Sequence, residues 1–393
     1  MPIGNFNYAN ITRIVFGKGQ IASLNTLIPS GKTVFLTYGG GSIKRNGVYD
    51  QCMKALKNYK VVEFGGIEAN PDFDTLTKAV DQIKKIGAHN VFALAVGGGS
   101  VVDGTKFIAA ASVYEHSKDL WNILETQGSF VTSALPFGCV LTLAATGSES
   151  NGNAVISWRA KNIKTNFGSS HTYPQFAILD PETMYSLPVG QTANGVVDAI
   201  VHVCEQYITY PVGAELQDRY CESLLKTLFN NGRKVMEDPK NYEARANIMW
   251  CATQALNKWI AQGVPEDWAT HRIGYNLTTY LGLDHAKTLA VLQPRVYEYC
   301  FEQKKEKLAQ MAERVLDITE GTTEEKARKA MNYLEHYYSD VMHLPSRIRD
   351  YNCSQDQSWI PQAIEKYRQS KSAFGEHKNI TADVIEKLYR DSY

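Results

Sequence analysis

The chain has 393 residues, and its 41 Lys plus Arg balance its 41 Asp plus Glu, so the formal net charge is zero; 44% of it is hydrophobic. This composition excludes a disordered chain and speaks against a nucleic-acid or membrane-surface binder, which carries a basic excess. The length suits two domains, each with a core of its own.

The N-terminal stretch MPIGNFNYANITRIVF has no basic segment ahead of an apolar core, so no signal peptide is expected. Strand candidates follow in order: 11–16 (ITRIVF), 33–38 (TVFLTY), 60–64 (KVVEF), 91–96 (VFALAV) and 139–143 (CVLTL). Segments 44–57 and 73–87 between them read as amphipathic helices. Apolar strands separated by helices predict a parallel sheet covered on both faces. The segment LDPETMYSLP (179–188) is a turn-rich joint. Beyond it, helical patterns dominate at 191–209, 214–231, 241–261, 266–281 and 303–316. The division is therefore a sheet domain over 1–188 and a helical domain over 189–393. No apolar run approaches the roughly 20 residues that span a bilayer. Seven scattered cysteines, odd in number and without C-x-x-C, fit reduced thiols in a cytoplasmic protein.

Two glycine-rich loops, TYGGGSIK (37–44) and AVGGGSVVDGTK (95–106), each follow a strand candidate and lead into a helix. Such a loop lets the backbone approach a phosphate, with unpaired N–H groups of the helix start behind it. It also serves as a plain tight turn. Two of them at the carboxyl ends of strands in one domain favour a ligand edge. Neither loop matches G-x-G-x-x-G, and no G-x-x-x-x-G-K-[ST] is present, so an ordinary P-loop is excluded. A third segment, LTLAATGSES (141–150), adds hydroxyls and backbone donors.

In GVVDAIVHVCEQ (195–206), Asp198 and His202 stand four apart in an otherwise apolar run. On a helix they share one face, and a carboxylate there needs a partner because an unpaired buried charge is costly. His271 and His285 lie further along, fourteen apart. Three imidazoles and one carboxylate make a set for Zn²⁺ or Fe²⁺. Spacing alone, with 69 residues between His202 and His271, favours a buried Asp198–His202 hydrogen bond and two unrelated histidines.

VGGGSVVDGTK, LTLAATGSESN, NGVVDAIVH and the His271…His285 pair, taken in order, resemble the iron-containing (group III) alcohol dehydrogenase family. YGGGSIKRNGVYD and NYEARANIMW resemble its butanol dehydrogenase and NADPH-dependent aldehyde reductase branch, and the similarity runs from about Asn5 to the C-terminus. The resemblance implies an N-terminal Rossmann-like parallel sheet domain and a C-terminal helical domain, the architecture shared with dehydroquinate synthase. It implies that Asp198, His202, His271 and His285 hold one divalent ion, Zn²⁺ or Fe²⁺, and act in catalysis through it. It implies cofactor contacts from Gly97, Gly98, Gly99 and Ser100 to the pyrophosphate, from Asp103 near the nicotinamide, and from Thr142, Leu143, Thr146, Asn151 and Lys164. The implied activity is hydride transfer between a nicotinamide cofactor and small aliphatic aldehydes or primary alcohols such as butanal and butanol. The implied assembly is a cytoplasmic homodimer with no nucleic-acid or membrane partner.

Cofactor choice follows from charge. NAD-preferring enzymes place a carboxylate on the adenosine ribose, where it repels a 2′-phosphate. Members of the family it resembles that prefer NAD often carry an Asp after the second strand; by that resemblance the place here is Gly39, followed by Gly40, Gly41 and Ser42, with Lys44 and Arg45 close by and able to balance added negative charge. NADP(H) is therefore expected. One departure from the family stands at Tyr275, where many members carry a second histidine four residues after the third ligand; its hydroxyl could donate or orient a proton, or the ring could fill the pocket, and a phenol's pKa of about 10 favours filling. Two other classes share the scaffold. A lyase of the dehydroquinate synthase type needs a pocket rich in Lys and Arg, whereas the surroundings of Asp198 and His285 are mostly apolar. A metal-binding protein on an inactive scaffold predicts no NADPH oxidation. The tail after about residue 320 shows no recognisable chemistry, and His336, His343 and His377 read as surface or packing residues.

Overall fold

Eight segments form strands in a computed structural model that describes all 393 residues. They are β1 (Arg13–Phe16), β2 (Thr33–Tyr38), β3 (Lys60–Phe64), β4 (Val91–Gly97), β5 (Phe137–Leu141), β6 (Asn153–Trp158), β7 (Ile163–Gly168) and β8 (Phe176–Leu179). Six of them build one sheet in the order β1-β8-β5-β4-β2-β3, every pair parallel. The central strands β4, β5 and β8 are buried along their whole length, which explains their unbroken apolar sequences: both faces of the sheet are covered. The edge strands β1 and β3 are only partly buried.

The helices of this unit are α1 (Leu24–Leu27), α2 (Ser42–Arg45), α3 (Val48–Ala55), α4 (Phe73–Ile86), α5 (Gly99–Ala111) and α6 (Asn122–Glu125). The helix expected over 44–57 is two pieces, because Gly47 between them takes the left-handed φ of 81° that ends a helix. Asp72 caps α4 by accepting from the Asp74 N–H. The strand expected at 139–143 lies two residues earlier, so Thr142 and Leu143 belong to the loop after β5. The β6–β7 hairpin and the four-residue β8 were not anticipated.

The strand order contains a switch point. From β2 the chain moves outward to β3, and from β4 it moves the other way to β5. β2 and β4 are neighbours in register up to Tyr38 and Val96. The loops that begin at Gly39 and Gly97 therefore lie side by side at the carboxyl edge, where open α/β sheets bind ligands.

The chain divides into two compact units, Ala9–Leu187 and Pro188–Tyr393 together with Met1–Tyr8. The first eight residues join the helical unit through contacts of their own: the Gly4 N–H donates to the Gly263 carbonyl at 2.9 Å, and Tyr8 meets Trp259 edge to face. The helices of this unit are α7 (Val189–Tyr207), α8 (Glu215–Glu237), α9 (Tyr242–Leu256), α10 (Ala269–Leu281), α11 (His285–Tyr299), α12 (Phe301–Arg314), α13 (Thr323–His336), α14 (Trp359–Ser370) and α15 (Ala382–Arg390). α7 is buried almost continuously from Thr192 to Tyr207, so it forms the centre of an all-helical packing.

The C-terminal tail does more than close the surface. Tyr389 donates to the Ile273 carbonyl at 2.7 Å and accepts from Asn276 at 2.9 Å, and Lys366 donates to the Asn276 side-chain oxygen at 2.8 Å. Both targets lie on α10. No helix is long and apolar enough to cross a membrane. Of the seven cysteines, all free, only Cys353 is not buried.

Candidate functional site

In the helical unit, α7 brings Asp198 and His202 to one face, and both are only 3% exposed. His271 comes from the first turn of α10, and His285 opens α11 after the left-handed Gly282 turns the chain. Asp198 Oδ1 lies 3.7 Å from His202 Nε2, 3.6 Å from His271 Nε2 and 3.6 Å from His285 Nε2. Three imidazoles, up to 87 residues away in sequence, thus converge on one carboxylate oxygen.

None of these separations is a hydrogen bond. Asp198 Oδ1 and His271 Nε2 are buried atoms with no hydrogen-bond partner. A buried polar atom left so is costly, and the arrangement makes sense around an ion. The 3.6 Å and 3.7 Å separations lie near the roughly 3.4 Å between ligand atoms of a tetrahedral site with bonds of about 2.1 Å. The candidate ligand atoms of Asp198, His202 and His271 all fall within 4.8 Å of one another. The donor set fits Zn²⁺ or Fe²⁺.

Electrostatics agree with the geometry. Burial alone would raise the Asp198 carboxyl, but His202, His271 and His285 outweigh it and hold the group well below the usual carboxylate range. Burial lowers His271, yet Glu205 and Asp198 prevail and push it up to about 9. The site thus favours positive charge among these residues.

Glu205 was missed in the sequence. It is 2% exposed, and its Oε2 is hydrogen-bonded to His271 Nδ1. Its Oε1 also receives the His271 N–H at 3.4 Å, and its carbonyl receives the Asp267 N–H at 2.9 Å. A carboxylate on the far nitrogen fixes the ring so that Nε2 points into the site. The signal was in the run already quoted: Asp198, His202 and Glu205 at i, i+4 and i+7 share one face.

The approach to α10 is held from behind. Trp268 takes the left-handed φ of 58°, a conformation that costs a bulky residue about 1–2 kcal/mol. Asp267 accepts from the Ala269 N–H at 2.8 Å, and Lys304 bonds Asp267 at 2.8 Å and Glu376 at 3.0 Å. All three charged side chains are at most 4% exposed. Trp268 ends 5.3 Å, ring to ring, from His271, and Tyr275 ends 6.3 Å from His285.

In the sheet unit the glycine loops have steric reasons. A Cβ on Gly99 would stand 2.4 Å from Thr146 Oγ1, and one on Gly97 would stand 2.5 Å from a methyl of Val101. Gly98 faces Leu143, and the Thr142 N–H donates to the Gly97 carbonyl at 3.0 Å. The structure therefore brings Gly97–Ser100 and Thr142–Thr146 together. Gly39, Gly40, Gly41 and Ser42 follow the neighbouring strand, with Gly41 at φ 85° before α2. Ser100 Oγ accepts from the Asn70 N–H, and Lys164 donates to Asn70 Oδ1 at 2.8 Å, so Lys164 reaches the α5 start through Asn70.

Asp103 and Asn151 support the third loop from beneath. Asp103 accepts from Ser148 Oγ and from the Val155 N–H, and burial raises its carboxyl above the usual range. Asn151, 1% exposed, accepts from Lys106 at 3.0 Å and donates to the Gly147 carbonyl at 2.9 Å. Lys44, one of the two cations beside the Gly39–Ser42 loop, is paired with Glu63 at 2.9 Å.

Comparison with known proteins gives a consistent picture. The family model for iron-containing alcohol dehydrogenase matches residues 11–181, and that for the C-terminal region of the Fe-containing alcohol dehydrogenase family matches 192–393. The chain is 49% identical to the NADPH-dependent aldehyde reductase YqhD of Escherichia coli, over 98% of this chain and 99% of that one. It is 38% identical to the probable NADH-dependent butanol dehydrogenase 1 of Bacillus subtilis, over 99% of each. The crystal structure of E. coli YqhD superposes with a TM-score of 0.96 at 48% identity, covering 100% of both chains. That of NADH-dependent butanol dehydrogenase A from Thermotoga maritima gives 0.92 at 31% identity, covering 100% of this chain and 99% of that one.

Proposed function

The chain belongs to the iron-containing alcohol dehydrogenase family, and from that premise we propose that it is a metal-dependent, NADP(H)-using reductase of small aliphatic aldehydes such as butanal, working in reverse on primary alcohols. The observation that carries this reading is the convergence of three imidazoles on Asp198 Oδ1 at 3.6–3.7 Å.

A bound nicotinamide supplies or accepts the hydride, and a divalent ion held by Asp198, His202, His271 and His285 supplies Lewis acidity toward the substrate oxygen. The rest is work for the chain's own groups. Glu205 orients His271 and keeps its Nε2 directed at the other ligands. Val197, Ala199, Ile200 and Val201, all at 0% exposure, hold α7 rigidly so that Asp198 and His202 keep one geometry. Trp268 and Tyr275 give the histidines aromatic neighbours and suit an apolar substrate chain. In the sheet unit, Gly97–Ser100 at the start of α5 offer main-chain N–H groups to a pyrophosphate, and Thr142, Leu143 and Thr146 line the adjoining turn. Asp103 and Asn151 hold that turn in place, and Lys164 braces Asn70 beside Ser100.

The NADP(H) assignment rests on Gly39–Ser42, which offer no carboxylate to a ribose at the end of β2. It agrees with the NADPH dependence of the 49% identical Escherichia coli relative. We extend the reading to a cytoplasmic homodimer, which sedimentation velocity checks.

The test is NADPH loss against a panel of straight-chain aldehydes, with metal content measured on protein purified without added metal. Turnover with butanal and its neighbours is expected, abolished by chelation and restored by Zn²⁺ or Fe²⁺. No turnover in the reconstituted protein overturns the enzyme reading. A clear NADH preference overturns the cofactor assignment alone. The element found on isolation decides between zinc and iron.

A further inference from the structure

At the carboxyl edge of the sheet, β2 and β3 run in register through Leu36–Glu63 and Thr37–Phe64. Beyond them Glu63 gathers three donors. Tyr38 Oη donates to its Oε2 at 3.0 Å, Tyr49 Oη to its Oε1 at 2.5 Å, and Lys44 Nζ to Oε2 at 2.9 Å. The Lys44 ammonium also sits 4.9 Å and 4.6 Å from the centres of the Tyr38 and Tyr49 rings. This cluster flanks the Gly39–Gly41 loop: Tyr38 precedes it, and Lys44 lies in the short helix that follows.

The arrangement joins two opposed effects. Two aromatic rings and a carboxylate fix an otherwise flexible lysine, so less rotamer freedom remains to be lost when an anion arrives. The same carboxylate cancels the charge that would attract that anion. Tyr49 and Lys44 hold Glu63 below the usual carboxylate range, so it is ionised at neutral pH. An incoming phosphate meets a fixed cation with an anion 2.9 Å from it.

We propose that Glu63 is a specificity-determining residue: by pairing with Lys44 it tempers the preference of the Gly39–Gly41 loop for a phosphorylated over an unphosphorylated adenosine ribose. This rests on the reading that the loop holds the ribose of NADP(H). Glu63 lies on the strand next to the position where a carboxylate would select NAD directly, and it acts through Lys44 instead.

The test compares kcat/KM for NADPH and for NADH in wild type, Glu63→Gln, Lys44→Gln and the double variant. Glu63→Gln keeps the shape of the side chain and one acceptor oxygen for Tyr38 or Tyr49, which donate to different carboxylate oxygens, while its amide nitrogen donates to the other phenol oxygen and the charge is removed. It raises the NADPH to NADH ratio about two- to fivefold, the scale of a partly exposed ion pair. The gain appears as a lower KM for NADPH at little-changed kcat. Lys44→Gln lowers the ratio, and in its background Glu63→Gln has no effect, since the charge it releases is gone. An unchanged or lower ratio in Glu63→Gln overturns the inference, and so does a ratio that rises only through a higher KM for NADH. A wild type that prefers NADH sinks the NADP(H) reading, whereas a Glu63→Gln shift confined to NADPH still upholds the coupling.

Discussion

In the sheet unit the candidate ligand surface is mostly main chain. Gly97–Gly99 are small because Val101, Leu143 and Thr146 crowd them, and the groups they offer are backbone N–H. In the helical unit the candidate ligands are side chains, and Asp198, His202 and His271 are at most 6% exposed. A surface made of backbone depends on where the chain runs, so exposed side chains there can change at modest cost. A site made of buried side chains depends on each one, because removing a single partner leaves the others desolvated and uncompensated. The two units should therefore respond very differently to point substitution.

Asp198→Ala is the strongest way to break that contrast. It removes the only carboxylate among the four candidate ligands, and loss of Lewis-acid stabilisation worth several kcal/mol lowers kcat/KM by at least about 10³-fold. His271→Ala is expected to do the same, and metal analysis of both proteins should show the ion lost. Ser42→Ala in the sheet unit removes one exposed hydroxyl and costs less than about tenfold, the scale of one hydrogen bond. Near-normal turnover with retained metal in either ligand variant ends the assignment of the site.

Glu205 sharpens the same comparison one layer out. Glu205→Ala leaves His271 Nδ1 without its buried acceptor, and such losses weaken metal binding about 10–100-fold. Glu205→Gln keeps an oxygen that can accept from Nδ1 and is expected to lose less. Zinc competition against a chromophoric chelator reads this without reference to turnover. Equal affinity in wild type and Glu205→Ala would make the contact one of packing only.

Gly39→Asp probes the backbone-made surface. A Cβ there would stand 3.2 Å from the Ile67 carbonyl, so the loop must yield by a few tenths of an ångström but need not rebuild. A carboxylate near a 2′-phosphate shifts the NADPH to NADH ratio about tenfold toward NADH. Paired kcat/KM measurements check it, and an unmoved ratio would place the ribose elsewhere.

The sheet was legible because its central strands are covered on both faces and read as unbroken apolar runs. The short β8 and the β6–β7 hairpin escaped because four residues, or a half-buried alternation such as IKTNFG, do not stand out from loop sequence. At the candidate metal site, Asp198 and His202 stood out by helical spacing, but spacing could not join them to His271 and His285 across 69 residues; the family order of motifs did. Glu205 was hidden as one more polar residue at the end of the helix. The tail was the largest omission. Its contacts on α10 come from Tyr389 and Lys366, and Glu376 meets Lys304 on α12; all are single residues that no motif marks.

Glu376 is read in stability rather than in activity and ties the tail to the helical unit's reliance on buried charge. Lys304 faces two carboxylates, Asp267 and Glu376, and also donates to the Ile208 carbonyl. Burial and the hydrogen bond to Asp267 push Glu376 up to about 8 against the pull of Lys304, which holds Asp267 below its usual range despite burial. Burial of two carboxyls beside one ammonium favours a proton held between Asp267 and Glu376, raising Glu376 and lowering Asp267. An unfolded chain ionises Glu376 near 4.5, whereas the folded one keeps the proton until about 8. The stability this proton contributes is therefore complete below 4.5 and lost as pH rises through about 8. Glu376→Gln imitates the protonated acid at every pH. Its Tm relative to wild type should climb as pH is raised across that window, at about 2–4 °C for each kcal/mol in a domain of this size. Parallel Tm curves for the two proteins would show that Glu376 is already ionised in the fold, with Lys304 compensating both carboxylates at once.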